Sequence, residues 1–553
     1  GEPARATIRP AAGRGAGTDR ESDAHGGGRE DGGGRGGATR SKRAIVLPAI
    51  LAAAALLVGG YFAASRLFAP RQHGEIGSGI SRDDKRSGAS AAAWENSIAV
   101  LPFRDLSPAR DQEHFCDGMT DALNGRLSNI RELKVIATTS VMRFKGASRD
   151  VKEIAAELGV NHILEGSIQR ERDRIRVTAQ LIAAATGFHL WSETYDERVE
   201  SVFDLQDRIT MAIADALRLK LGRGASMAER RPKSLEAYEY YMRGLSYTKS
   251  RYIVSFRDED FEASVAMFER ALELEPDYVD ALLGLVWTYE HRYQVTDDTL
   301  YSDLMRRTLN RAYALDSLRA SSNAVKGYAA YEYDNDADGA FRYLRRALEL
   351  NPNDDLVYML PGYYLLYLGL YEQAIPYIEK AVALDPQYFW SPYKLGWCYS
   401  GIGDFEEAGR QFDKYFELAP LVMIFPGRAI ALEIKRGNIE KVRSMIARTE
   451  AEHPEYGLLP YTKALLLAAE GKKAEALALC DNSEVYALLG MAPEAVEALG
   501  REIRGTARIP CIYYLDLVHN PFYDKIRGDA AFQRLVRREK SLYDEYVAKY
   551  GIL

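Results

Sequence analysis

Hydrophobic and polar positions divide the chain into stretches of different pattern. Residues 1 to 43 carry Gly, Arg, Ala and Asp with almost no aliphatic side chains. Such a stretch cannot bury enough apolar surface to offset chain entropy, so a disordered linker is expected. Ala44 to Ser65, "AIVLPAILAAAALLVGGYFAAS", holds no charge and is long enough for a helix to cross a bilayer. Residues 66 to 96 are polar and small again and predict a flexible tether. From Ser97 to residue 222, alternating and helical spacings interleave; from residue 233 to 553 the spacing is helical throughout.

The interleaved region predicts an α/β domain. "SIAVLPF", 97 to 103, is a short apolar run closed by Pro102 and reads as a buried strand. Phe115, Met119, Leu123 and Leu127 recur every four residues and mark one face of a helix, with Asp111 as its expected N-cap. "LKVIA", 133 to 137, predicts a second strand. "DVKEIAAELGV", 150 to 160, predicts a helix stopped by Gly159. Two alternating runs, His162 to Gln169 and Arg174 to Leu181, predict a hairpin turning at Arg172 and Asp173, with Gly166 at a bulge or a close backbone approach. Phe188, Trp191 and Tyr195 are expected to cluster. A last helix, about 201 to 221, turns Val202, Leu205, Ile209, Ile213 and Leu217 inward.

Beyond residue 233 the pattern repeats. Pro386, Pro420 and Pro454 are 34 residues apart, as are Gly369, Gly403, Gly437 and Gly471, and Ala374, Ala408, Val442 and Ala476. This period and these small residues resemble the tetratricopeptide repeat, in which each unit is a pair of helices. "ALELEP", "AYALDS", "ALELNP" and "AVALDP" are four versions of one helix end, and the longer first interval places a loop or a helix extension near "YQVTDDTLYSD". About seven units are expected. "NPFYDKIRGDAAFQRLV", 520 to 536, resembles a closing segment, the polar cap that an open solenoid end requires.

The α/β region carries a second resemblance. The order IAVLPF, F-C-D-G-M-T, K-G, L-E-G-S, R-I-R-V-T-A-Q-L and L-W-x-x-x-Y-D resembles the TolB N-terminal-like domain, which accompanies many bacterial signalling proteins. Cys116 stands where that family usually has a small alanine, and Thr138 and Thr139 stand where a basic residue is common. The hairpin turn lacks the usual glycine. The expected fold is therefore multi-domain: a disordered linker (1–43), one transmembrane helix (44–65), a flexible tether (66–96), a small α/β domain (97–222) and an all-α superhelical solenoid with a C-terminal cap (233–553).

Composition narrows the function. The 72 Lys and Arg against 79 Asp and Glu leave a net charge of −7, which gives no reason to expect nucleic acid as a partner. The four cysteines, Cys116, Cys398, Cys480 and Cys511, are too scattered for a disulfide framework or a CxxC metal pattern. No HExxH, GxSxG or GxxxxGK[ST] occurs. Cys116 lies beside two aspartates and a threonine in "FCDGMTDAL", but beside the apolar stripe of a helix it reads as a core residue rather than a nucleophile. No enzyme activity, catalytic residue, cofactor or metal is expected.

The repeat resemblance implies a concave face made by the first helix of each unit. It places Tyr363, Tyr367, Trp390, Tyr393 and Trp397 there, as anchors for an extended peptide or a partner helix. The expectation is a membrane-anchored scaffold that binds a protein or peptide partner or copies of itself. Arg29, Arg35, Arg40, Lys42 and Arg43 on one side of the apolar segment, against Arg66, Arg71 and Arg82 on the other, predict a single-pass bacterial inner-membrane protein with periplasmic C-terminal domains. A cleaved signal peptide, and so a secreted scaffold, is the variant of that reading. The rival is the sensory half of a signalling protein whose effector lies upstream of Gly1: a nucleotide cyclase, a Ser/Thr kinase or a winged-helix regulator.

Overall fold

The computed structural model describes residues 96–219, 232–248, 252, 257–296, 298–418, 427–452, 459–505 and 513–551. The expected linker, the apolar segment Ala44 to Ser65 and the tether up to residue 95 lie outside the described residues.

The sheet domain is built on β1 (Ser97–Val100), β2 (Arg104–Asp105), β3 (Lys134–Val135), β4 (His162–Glu171), β5 (Arg174–Ala183) and β6 (His189–Arg198). The order is β3-β1-β4-β5-β6, with β2 also on β4. The pairs β1–β3, β1–β4 and β2–β4 are parallel, and β4–β5–β6 is an antiparallel meander. Every residue of β1 is buried, as a continuous apolar run between two parallel neighbours demands. Its side chains alternate between two cores. Ile98 and Val100 join the core of the helices Glu113–Ser128 and Val202–Ala216, while Ala99 joins that of the helix Val151–Leu158.

Phe115, Met119, Leu123 and Leu127 are buried as their spacing predicts. The cap differs. The helix starts at Glu113 with Gln112 at its N-cap, because Asp105 accepts the backbone N–H of Gln112 at 2.8 Å and fixes the chain one residue later than Asp111 would. Gly159 ends its helix at φ 63°, as expected. A Cβ on Gly166 would run into the Phe103 ring and lie 2.5 Å from the Thr178 carbonyl oxygen, so this strand position requires glycine. In the hairpin, Arg172 takes the positive φ (56°) that a glycine would adopt more easily. The segment after Phe188 is a strand, so Trp191 and Tyr195 share a face while Phe188 precedes it and is 74% exposed. The expected three-ring cluster does not form.

The remainder is a helical solenoid. Eight consecutive helix pairs stand among the described residues, from Leu235–Tyr247 with Asp258–Leu274 to Ser483–Leu488 with Ala492–Gly505. The longer early interval is helix extension: Val279–Thr296 and Thr299–Leu315 run 18 and 17 residues. Gly369, Gly403, Gly437 and Gly471 all end the first helix of a unit at φ 76–85°. There the N–H of the next residue reaches back to a carbonyl five residues earlier, for example Asn438 to Glu433 at 2.9 Å. Ala374, Ala408, Val442 and Ala476 are fully buried on the second helices.

Successive first helices pack against one another along most of the array, whereas successive second helices touch little. The first helices therefore line the inner, concave side. The sheet domain docks along the edge made by the loops between units. The N–H of Ala137 donates to Leu384 at 2.8 Å, Asn353 Nδ2 donates to the Ile130 carbonyl at 2.8 Å, and the Thr139 and Ser140 hydroxyls donate to buried Asp385. The last helix follows the opposite edge. The helix Ala530–Tyr550 returns to early units, with Lys549 and Tyr550 on Asp338 and Tyr543 on Glu372.

The expectation of a single-pass inner-membrane protein is corrected here. Among the described residues no helix is long and apolar enough to cross a membrane. The longest, Ala530–Tyr550, is 21 residues but carries charge throughout, as in "RREKSLYDEY", which bars it from hydrocarbon.

Gly437 sits at φ 76°, and a methyl group added to it would meet nothing within 4 Å. Gly437→Ala is therefore expected to destabilise by backbone strain alone, about 1–2 kcal/mol, read as a lowered urea midpoint. Gly437→Asn, which tolerates this conformation better, should lose less.

Candidate functional site

The five aromatic residues singled out by the repeat pattern come from two successive first helices, Asp355–Tyr367 and Trp390–Gly401. The fold brings all five together around one cation. The Lys394 Nζ lies 4.8 Å from the Tyr367 ring centre, 5.1 Å from Trp397, 5.4 Å from Tyr393, 5.6 Å from Tyr363 and 6.0 Å from Trp390. It also donates to the Tyr367 hydroxyl at 3.0 Å. Trp390, Lys394 and Trp397 sit at i, i+4 and i+7, one helical face. Tyr363 and Tyr367 project from the neighbouring helix to close the other side.

The surroundings hold this arrangement in place. Tyr363 Oη and Ser391 Oγ lie 3.2 Å apart. Tyr393 packs on Phe412 and Tyr415 of the second helix. The Arg428 guanidinium stacks 4.3 Å from the Trp397 ring centre and donates to Asp516 at 2.6 and 3.2 Å. The Tyr371 hydroxyl also donates to Asp516, and Trp397 Nε1 donates to Tyr371 Oη at 3.4 Å. Ring quadrupoles attract the two cations, but burial works against charge on Lys394. Its ammonium is brought down from 10.5 to about 8, by desolvation first and only partly opposed by Cys398.

Sequence reasoning misses Lys394, Arg428 and Asp516. Lys394 has a signal in the sequence, since a lysine shares the helical face of Trp390 and Trp397. Arg428 and Asp516 are 88 residues apart and no local spacing links them. The reading of Cys116 is answered by its surroundings. It is buried, and desolvation, then Asp105 and Asp117, push its thiol up to about 12. A thiol so far from ionisation is a poor nucleophile at neutral pH.

Residues 357–388 and 393–420 match the family described as Tetratricopeptide repeat. The chain carries tetratricopeptide repeats. Tyr363, Tyr367, Tyr393 and Trp397 lie inside the matched repeats, with Trp390 between them. Residues 94–212 match the second domain of the HilA/YgeH-like transcriptional regulators. The TolB-like assignment is not shown, and this HilA-like domain is found in its place. The motifs that suggested it, such as IAVLPF and L-E-G-S, report buried β1 and the tight approach at Gly166, so they speak for the sheet more than for a particular family.

The chain is 39% identical over 191 residues to "Putative adenylate cyclase 3" of Rhizobium meliloti (strain 1021), covering 34% of this chain and 32% of that protein. It is 24% identical over 199 residues to DnaJ homolog subfamily C member 7 of Homo sapiens, covering 34% and 38%. The matches thus span about a third of these relatives' lengths. Among solved structures it is similar to Pseudomonas aeruginosa pilF, at TM-score 0.33 and 19% identity over 41% of this chain and 97% of that one. It is also similar to YrrB, described as a TPR protein with an unusual peptide-binding site, at TM-score 0.26 and 19% identity over 35% and 97%.

Lys394 binds its proton less tightly folded than unfolded, so its share of stability rises as pH climbs from about 8 towards 10.5. Lys394→Met removes that contribution. Lys134, also buried and brought down to about 8, titrates in both proteins and cancels in the comparison. The stability of the wild type minus that of the variant is expected to increase between those two pH values. A flat difference in urea unfolding would show that the ammonium is not desolvated among the rings.

Proposed function

We propose that this chain is a non-catalytic interaction module that grips a protein or peptide partner on its concave face, beside the ring cluster of Tyr363, Tyr367, Trp390, Tyr393 and Trp397. The observation that carries this reading is the convergence of those five rings on Lys394 from two adjacent first helices. Large rigid rings give contact area at small entropic cost, and a buried cation among them adds directional polarity. Tetratricopeptide repeats, a scaffold architecture for protein partners, support it. Association with copies of itself is part of the same proposal. Binding rather than chemistry is its mode of action, in keeping with the buried, high-pKa thiol of Cys116.

A photo-crosslinking amino acid at Tyr367 tests it in the native cell. The expected result is a discrete crosslinked partner from position 367, lost when Trp397→Ala is added. The same probe at Arg410, exposed on a second helix, should give none. Equal crosslinking from both positions would place the partner elsewhere.

A second reading has its own support. The relative named as an adenylate cyclase and the match to a transcriptional-regulator domain favour a regulatory region of a signalling protein, serving a cyclase, kinase or DNA-binding effector in the same polypeptide. The intact mass of the native protein separates the two. A mass exceeding this chain by a catalytic or DNA-binding domain is the outcome this reading expects; a mass near 61.9 kDa would oppose it.

A further inference from the structure

The concave face is partly filled by the chain itself. The closing segment begins with the helix Tyr514–His519 and the 3-10 turn Pro521–Ile526, and it lies across the first helices of the later units. Asp516 is held by Arg428 at 2.6 and 3.2 Å and by the Tyr371 hydroxyl. Asn520 Nδ2 donates to Glu484 at 2.8 Å, and the Tyr523 hydroxyl lies 3.3 Å from Ser483 Oγ. Leu515 is buried in the core that includes Leu395 and Cys398 of a first helix, and Phe522 in that of Ile430 and Leu465, while Leu517 shares a core with Phe532 and Leu535 of the last helix. Arg428 links this contact to the ring cluster, since the guanidinium that holds Asp516 also covers Trp397 at 4.3 Å.

Such a segment has the features of a bound peptide. It is short, Leu515 and Phe522 share cores with side chains of the first helices, and one carboxylate meets a fixed arginine. We infer that residues 513–526 are an intramolecular occupant of the concave face, and that the partner displacing them presents the same chemistry: one acidic side chain between two large apolar ones. The inference rests on the concave face being the binding surface. The charge complementarity is specific. Arg428 stacked on Trp397 offers two N–H donors in one plane to a carboxylate, a geometry that an amide satisfies poorly. A partner competing with the chain's own segment meets a face that is open only part of the time, so its apparent affinity is reduced by that fraction. Weakening the internal contact raises the fraction.

The test uses a fluorescein-labelled peptide of residues 513–526, YYLDLVHNPFYDKI, and the full chain. Anisotropy is expected to show weak binding to the wild type and about tenfold tighter binding to Asp516→Asn. The same peptide with its first aspartate replaced by asparagine should show no such gain. Tyr371→Phe, a milder change that removes one hydrogen bond to Asp516, should move the affinity the same way by less, and it serves if Asp516→Asn does not fold. Equal affinity for the wild type and for whichever variants keep the native circular dichroism would overturn the inference and leave the ring-cluster reading to its own crosslinking test. A gain that survives Arg428→Gln in the Asp516→Asn background would place the peptide away from Arg428 and would likewise overturn the inference.

Discussion

Close approach of two helices within each unit is the constraint on which the rest of the molecule depends. Gly396 lies so near Phe412 that a methyl group there would meet the ring at 2.6 Å, Gly362 meets Ile378 at 2.7 Å, and Gly327 meets Leu344 at 2.8 Å. Phe268 is pinned between Gly244 and Gly284. A small residue on one helix and a large one on its neighbour lock the pair at short range, as ridge-and-groove packing requires. The positive-φ glycines then turn the chain sharply at the same place in successive units. Constant spacing and constant turn produce a curved array with the first helices inside.

That curvature gathers aromatic side chains. Rings on neighbouring first helices converge at Tyr331 and Tyr364, stacked 3.8 Å apart, and at Tyr367 and Trp397. A lysine inserted among them loses water but gains five ring faces and a tyrosine hydroxyl. Attraction to a desolvated ring face is worth about 2 kcal/mol and opposes the desolvation that brings the ammonium down to about 8. The cluster is thus a tense place in an otherwise apolar scaffold, and Arg428 ties it to the closing segment.

The sheet domain and the solenoid share one core. Gly118 of the domain's first helix touches Met242 of the first repeat, Tyr238 bonds Gln206 at 2.9 Å, and Phe203 meets Tyr238 edge-on at 5.0 Å. With the bonds to Leu384, Asp385 and Asn353, the domain spans the edge of four units. It braces the curvature from one side, while the helix Ala530–Tyr550 braces the other. A partner on the concave face would meet a surface stiffened along both edges.

Local pattern by itself determined the strands β1, β3, β4 and β5, the hairpin, the period of 34, the helix ends at Gly159 and Gly437, and the placing of the five rings on two successive first helices. Each is set by spacing along one element or between adjacent ones. It misplaced the first cap, because Asp105 acts from a preceding strand, and it grouped Phe188 with rings that strand alternation sends elsewhere. It found the walls of the candidate site but not its centre, although Lys394 stood in view on the same helical face. Only the tertiary structure could join Arg428 to Asp516 or Thr139 to Asp385, since those partners are 88 and 246 residues apart. Contacts at such separation follow from the summed rotation of several repeat units, and no short stretch of sequence encodes that sum.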